Sequence, residues 1–202
     1  RPNMDGIHIN GFARDGHITN VKGSTNDDLV ALNADEGGFL CDDCDIRNIT
    51  IDGVYGGDNG WTGVRLLSRS AKVRSIMIRN VFGAYRYNAV SFTHWARGAG
   101  DHGWFEDIAL DGIFASSTRK SGEGHGGLIW FQPGVRHVGA VTIDRVMRID
   151  APDAFNTVHT VDVPDDVRIE SLTLGRVQQR VPDGKEAVRI GRGATIGRLH
   201  SP

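Results

Sequence analysis

Short stretches in which apolar and polar residues alternate recur along the whole chain. One set comprises Gly6-Ile7-His8-Ile9, Leu29-Val30-Ala31-Leu32, Gly63-Val64-Arg65-Leu66, Ala89-Val90-Ser91-Phe92, Leu128-Ile129-Trp130-Phe131, Thr160-Val161-Asp162-Val163 and Ala187-Val188-Arg189-Ile190. A second set usually follows after a turn, over residues 16–21, 45–51, 73–81, 104–110, 138–143 and 167–174. A period of two sends successive side chains to opposite faces of a strand, one into a core and one into solvent. Such a segment cannot bury its apolar face alone. Stacking successive units about 4.8 Å apart pairs their backbones and makes one continuous core.

The pattern therefore predicts an all-β chain, a right-handed parallel β-helix of about seven rungs forming a single domain over residues 1–202. An antiparallel sandwich also offers many short strands. It is disfavoured because the units resemble one another and lack regular hairpin turn pairs. Asn20, Asn48 and Asn80 are expected at matching turn positions, hydrogen-bonded as turn residues usually are. Longer insertions at 34–39, 96–103 and 116–126 interrupt the units, and in stacked repeats such excursions gather on ligand-binding faces.

Composition agrees with strands punctuated by turns: glycine is frequent, at 27 of 202 residues. Charge nearly cancels, 23 Lys and Arg against 25 Asp and Glu, so no global basic field is expected to hold nucleic acid or an anionic membrane surface. No apolar run approaches the length of a membrane span. Cys41 and Cys44 stand in a single Cys-Asp-Asp-Cys, without the second ligand pair of a zinc site or the βαβ setting of a redox motif. They are read as a structural loop pair. His102, His125, His137 and His159 show no metal-ligand spacing, and neither a metal nor a cofactor is expected.

Candidate chemistry concentrates in the first two units. Aligning the alternation of Asp5-Gly6-Ile7-His8-Ile9 with that of Asp28-Leu29-Val30-Ala31-Leu32 sets Asp28 over Asp5, with Asp27 beside them. Three carboxylates that close cannot all ionise freely, so at least one should keep its proton near neutral pH while another activates water. That division of labour is the machinery of glycoside hydrolysis. An acid–base separation of roughly 6.5 to 9.5 Å would imply inversion at the anomeric carbon. The plain alternative is that these are turn aspartates.

Asn3-Met4-Asp5-Gly6-Ile7-His8-Ile9, followed by Asn26-Asp27-Asp28-Leu29, resembles the Asn-Thr-Asp and Asp-Asp motifs of the polygalacturonase family of glycoside hydrolases, family 28, within the pectin-lyase-like β-helix superfamily. The resemblance implies that Asp27 is the general acid and that Asp5 and Asp28 activate the hydrolytic water. It also implies a secreted or extracytoplasmic protein acting on a polysaccharide, pectin-like or another acidic glycan. Trp61-Thr62-Gly63 stands where the family carries Gly-His-Gly, and Ser91 and Thr93 stand where it carries Arg-x-Lys. Asn3, His8, Arg65, Arg86, Tyr87 and His94 are the candidate substrate-binding residues, with Tyr85 and Trp95 as further aromatic faces suited to sugar rings.

The expected partner is thus a polysaccharide or oligosaccharide. A non-catalytic glycan-binding or structural module is the first alternative, and a polysaccharide lyase the second. The sequence opens within the candidate motif, so rungs or a cap are expected to be missing ahead of it. The uncapped edge is then a candidate for self-association.

Overall fold

The computed structural model describes residues 4–36, 43–94, 102–118, 126–152, 159–182 and 185–201. Among them there is no helix, and thirteen strands pair in parallel in one extended sheet. The first set of alternating segments forms one ladder. It runs through β1 (Ile7–Asn10), β3 (Asp28–Asn33), the ends of β4 (Ile46–Leu67) and β5 (Lys72–Thr93), β7 (Ile129–Phe131), β9 (Val161–Val163) and β12 (Val188–Ile190). Its central column reads Ile7, Val30, Val64, Val90, Ile129, Val161, Val188.

The second set forms the other ladder: β2 (Ala13–Gly23), the starts of β4 and β5, β6 (Trp104–Ser117), β8 (His137–Ile149), β10 (Arg168–Leu174) and β13 (Thr195–His200). Its inward column reads Ile18, Ile51, Ile78, Leu110, Ile143, Leu174. From Ile51 to Ile143 these side chains are wholly buried. Each contributes roughly 1.5–3 kcal/mol of transfer free energy, which is what holds otherwise short strands in register. β11 (Val177–Arg180) pairs with the end of β8.

The strands bend where a residue takes left-handed backbone geometry. Asn20, Gly53, Asn80, Gly112 and Arg145 occupy one such column, with φ between 52° and 80°. Asn48 is not in it. It belongs with Asp15, Ser75 and Asp107 in a second left-handed column about five residues earlier, so the three asparagines divide between two bends. Asparagine tolerates this geometry because its short amide bonds locally. Here the amides reach across to the neighbouring strand, Asn80 Nδ2 donating to Asp52 Oδ1 (2.7 Å) and Asn48 Nδ2 to Asp15 Oδ1 (2.9 Å).

Between the ladders the core changes character. Tyr85 is wholly buried, its ring filling the space left by Gly56 and Gly63 and its hydroxyl donating to Phe82 O (2.9 Å). It is therefore a core residue and presents no face to a ligand. On the outer side of the same bend Tyr55, Phe82 and Phe114 stack with ring centroids 5.4 and 5.6 Å apart. Further along the chain Arg148 lies wholly buried against Asp150, whose carboxylate also accepts the Ser117 N–H (2.9 Å).

Cys44 is disulfide-bonded. Cys41, the chain's other cysteine, lies outside the described residues, as do Asn3, Trp95 and His125.

Candidate functional site

The register that pairs Ile7 with Val30, carried back two residues, sets Asp5 beside Asp28, and the Gly6 N–H donates to Asp28 O (3.0 Å). Asp5 Oδ1 in turn accepts the Asp28 N–H at 3.0 Å. Asp27 precedes β3 in a tight approach where the Thr25 hydroxyl donates to Asp27 O (3.0 Å). Asp5, Asp27 and Asp28 each place a carboxylate oxygen within 4.8 Å of the others. The convergence expected from aligning the alternation is therefore present. The 4.8 Å distance is the nearest approach of one oxygen from each residue.

Burial and mutual repulsion decide the protonation of this cluster. Asp28 is 2% exposed, and burial pushes its carboxyl up to about 7, helped by Asp27 and Asp5 and opposed by Arg65. Asp27 is half-buried and also raised, first by burial and then by Asp5. Arg65 answers only part of this charge. Its Nη1 lies 3.3 Å from Asp28 Oδ2, while its Nε donates to Thr93 Oγ1 at 3.2 Å. The cluster thus retains a proton near neutrality, as a general acid requires.

His8 has a different setting from a free sugar contact. Its Nδ1 meets Asp5 Oδ2 at 2.6 Å, and its Nε2 faces Glu36 Oε2 at 3.4 Å. Asn33, wholly buried, donates from Nδ2 to Glu36 Oε2 (2.5 Å) and lies 3.3 Å from His8 Nε2. Asp5, His8, Asn33 and Glu36 thus form one chain of polar contacts, with Asn33 linking the imidazole to Glu36.

Beside the cluster runs a groove of about 440 Å³. Asp27, Asp28, Trp61, Thr62, Arg65, Tyr87, Asn88, Ser91, Thr93, His94, Trp130 and Gln132 line it. Two columns of the first ladder build its floor. One reads Asp28, Thr62, Asn88, and the other Arg65, Ser91, Trp130. Tyr87 packs against Trp61 with ring centroids 4.8 Å apart, and the Arg86 guanidinium lies over the Trp61 ring at 5.4 Å. His94 is fixed from two sides: its backbone N–H donates to Gln132 Oε1 (2.9 Å), and its Nε2 lies 2.8 Å from Pro133 O. That contact assigns the ring proton to Nε2.

Of the residues singled out from sequence, Asp27, Asp28, Arg65, Tyr87 and His94 meet in the groove. Asp5 and His8 adjoin it through the cluster, Arg86 supports Trp61, and Asn3 is outside the described residues. Trp130, Asn88, Gln132 and Glu36 were not singled out. Extending the aligned columns one unit past Ser91 and Thr62 would have found Trp130 and Asn88. Glu36 and Gln132 follow the alternating segments, where period-two alignment gives no guide.

No protein-family model, curated protein or solved structure matches this chain.

Proposed function

We propose that the chain winds as a right-handed parallel β-helix and hydrolyses glycosidic bonds in a polysaccharide outside the cytoplasm. One observation carries the reading: three carboxylates from adjacent strands converge within 4.8 Å at a groove lined by Trp61, Tyr87 and Trp130. The winding accounts for two parallel ladders whose strands recur in the same order, since parallel neighbours need a crossover between them.

In the proposed reaction Asp27, half-buried and in the groove lining, gives its proton to the glycosidic oxygen as the bond to the anomeric carbon breaks. Water attacks that carbon and passes a proton to Asp5, which His8 and the Asp28 N–H hold in place. Asp28 shares the retained proton with Asp27, so the two titrate as a pair. No metal or cofactor enters this scheme.

A reducing-end assay on neutral and acidic polysaccharides, with wild type and Asp27→Asn side by side, tests the proposal. Release of ends by wild type, falling at least 100-fold in Asp27→Asn, supports it, in line with the roughly 10²–10⁴-fold contribution of general acid catalysis. Silence from folded wild type across the panel sinks it in favour of a glycan-binding or structural module. Thr62 beside Asp28, a residue unable to act as acid or base, is the observation that favours that second reading. An unsaturated product would point to a lyase.

A further inference from the structure

We infer that the groove beside Asp27 and Asp28 takes an uncharged glycan and discriminates against uronic-acid chains, an inference that rests on the hydrolase reading for its site. Recognition of a sugar carboxylate calls for a cation free to pair with it, best an arginine fork. Arg65 is the one lysine or arginine among the described lining residues. Its guanidinium is already divided between Asp28 and the Thr93 hydroxyl. That hydroxyl is itself committed, donating to Leu66 O at 3.1 Å. Arg86, beside Tyr87 in the chain, lies over the Trp61 ring.

What remains in the lining is neutral or acidic. Thr62 and Ser91 offer hydroxyls, and Asn88 and Gln132 offer the amide atoms left once Asn88 Nδ2 donates to Gly127 O (2.6 Å) and Gln132 Oε1 accepts the His94 N–H, the vocabulary for sugar hydroxyls. Tyr87 and Trp130 offer half-buried aromatic surface for the apolar faces of sugar rings. Asp27 and Asp28, with one proton shared between them, still carry a negative charge in a partly desolvated setting. A uronate carboxylate would meet it there as a like charge, with no lysine or arginine besides Arg65 among the described lining residues to offset it. The position of Ser91 makes the point locally. It lies directly between Arg65 and Trp130 in its column, where a basic side chain would face the bound chain. It carries a small hydroxyl instead.

The test is a binding titration of wild type and Asp27→Asn, followed by tryptophan fluorescence and calorimetry. The probes are neutral oligosaccharides (gluco-, galacto-, xylo- and manno-configured) and oligogalacturonate and oligomannuronate of matched length. At least one neutral series is expected to bind at least tenfold more tightly than either uronate. Trp130→Ala is expected to lose tenfold or more of that affinity while retaining the wild-type melting temperature. Equal or tighter binding of a uronate overturns the inference, as does binding of neither class or neutral binding indifferent to Trp130→Ala. The hydrolase reading fails separately: neutral chains that bind but are never cleaved sink that reading and leave this one. Cleavage of a uronate that depends on Asp27 does the reverse.

Discussion

Arg148 with Asp150 and Arg65 with Asp28 both bury an arginine–aspartate contact, and the two are built to opposite ends. At Arg148 and Asp150 both side chains are 0% exposed. Nε reaches the two carboxylate oxygens at 3.1 and 3.0 Å, and Nη2 lies 2.6 Å from Oδ2. The Ser117 N–H adds a further donor. At Arg65 and Asp28 the carboxylate is almost as deeply buried, but it has one guanidinium contact at 3.3 Å and two other carboxylates beside it. The first pair is compensated as well as a buried ion pair can be. The second is left short, and the shortfall appears as a carboxyl that titrates near 7. Full compensation fixes a structure, whereas partial compensation stores a proton where it can be used.

The largest effect that would break this comparison is at the satisfied pair. Asp150→Ala should cost about 3–5 kcal/mol, because it leaves a buried guanidinium without its counter-charge. Urea unfolding measures it, and a loss under 1 kcal/mol would mean that water or another group already serves Arg148.

Asp28→Asn should behave differently. The folded-state pKa of Asp28 lies above its unfolded value of 3.8, so the stability it contributes is fully present below about pH 4 and is lost as pH rises through about 7. Wild type should therefore lose stability across that window at a slope of at most roughly 1.4 kcal/mol per pH unit. Asp28→Asn should flatten that slope in a series of melting temperatures. An unchanged slope would place the stored proton elsewhere.

The smallest effect belongs to an exposed pair of the same chemistry. Arg145 and Asp111 approach to 2.5 Å, closer than Arg148 and Asp150, but their side chains are 42% and 36% exposed. A double-mutant cycle through alanine should give a coupling far smaller than the loss at Arg148 and Asp150, since solvent screens the pair. A coupling that matches that loss would show that short distance, rather than burial, ranks these three contacts.

The ladders were legible in sequence because alternation is a local signal that every unit repeats. Gly6-Ile7-His8-Ile9 and its six counterparts pair in the register that their apolar positions dictate. The same register carried the meeting of Asp5 with Asp28 and the column from His8 to Arg65 to Ser91. Bends were harder. Asn48 resembles Asn20 and Asn80 in its surroundings of alternating residues, yet it serves a different left-handed position. Tyr85 reads as a surface aromatic until Gly56 and Gly63, more than twenty residues earlier, are seen to clear room for its ring. Glu36 completes the His8 chain from beyond the end of β3, where no periodicity reaches. Whether a carboxylate is compensated depends on distances that a residue pattern does not contain.

The parallel register also sets how the chain can assemble in time. Each step along the first ladder joins residues roughly 25 to 40 positions apart, so every contact closes a loop of similar, moderate size and none spans the whole chain. The entropic toll is thus paid in near-equal instalments, and order can spread from a nucleus to its neighbours in either direction. The longest run of paired residues, where β4 meets β5, is the natural place for that spread to begin.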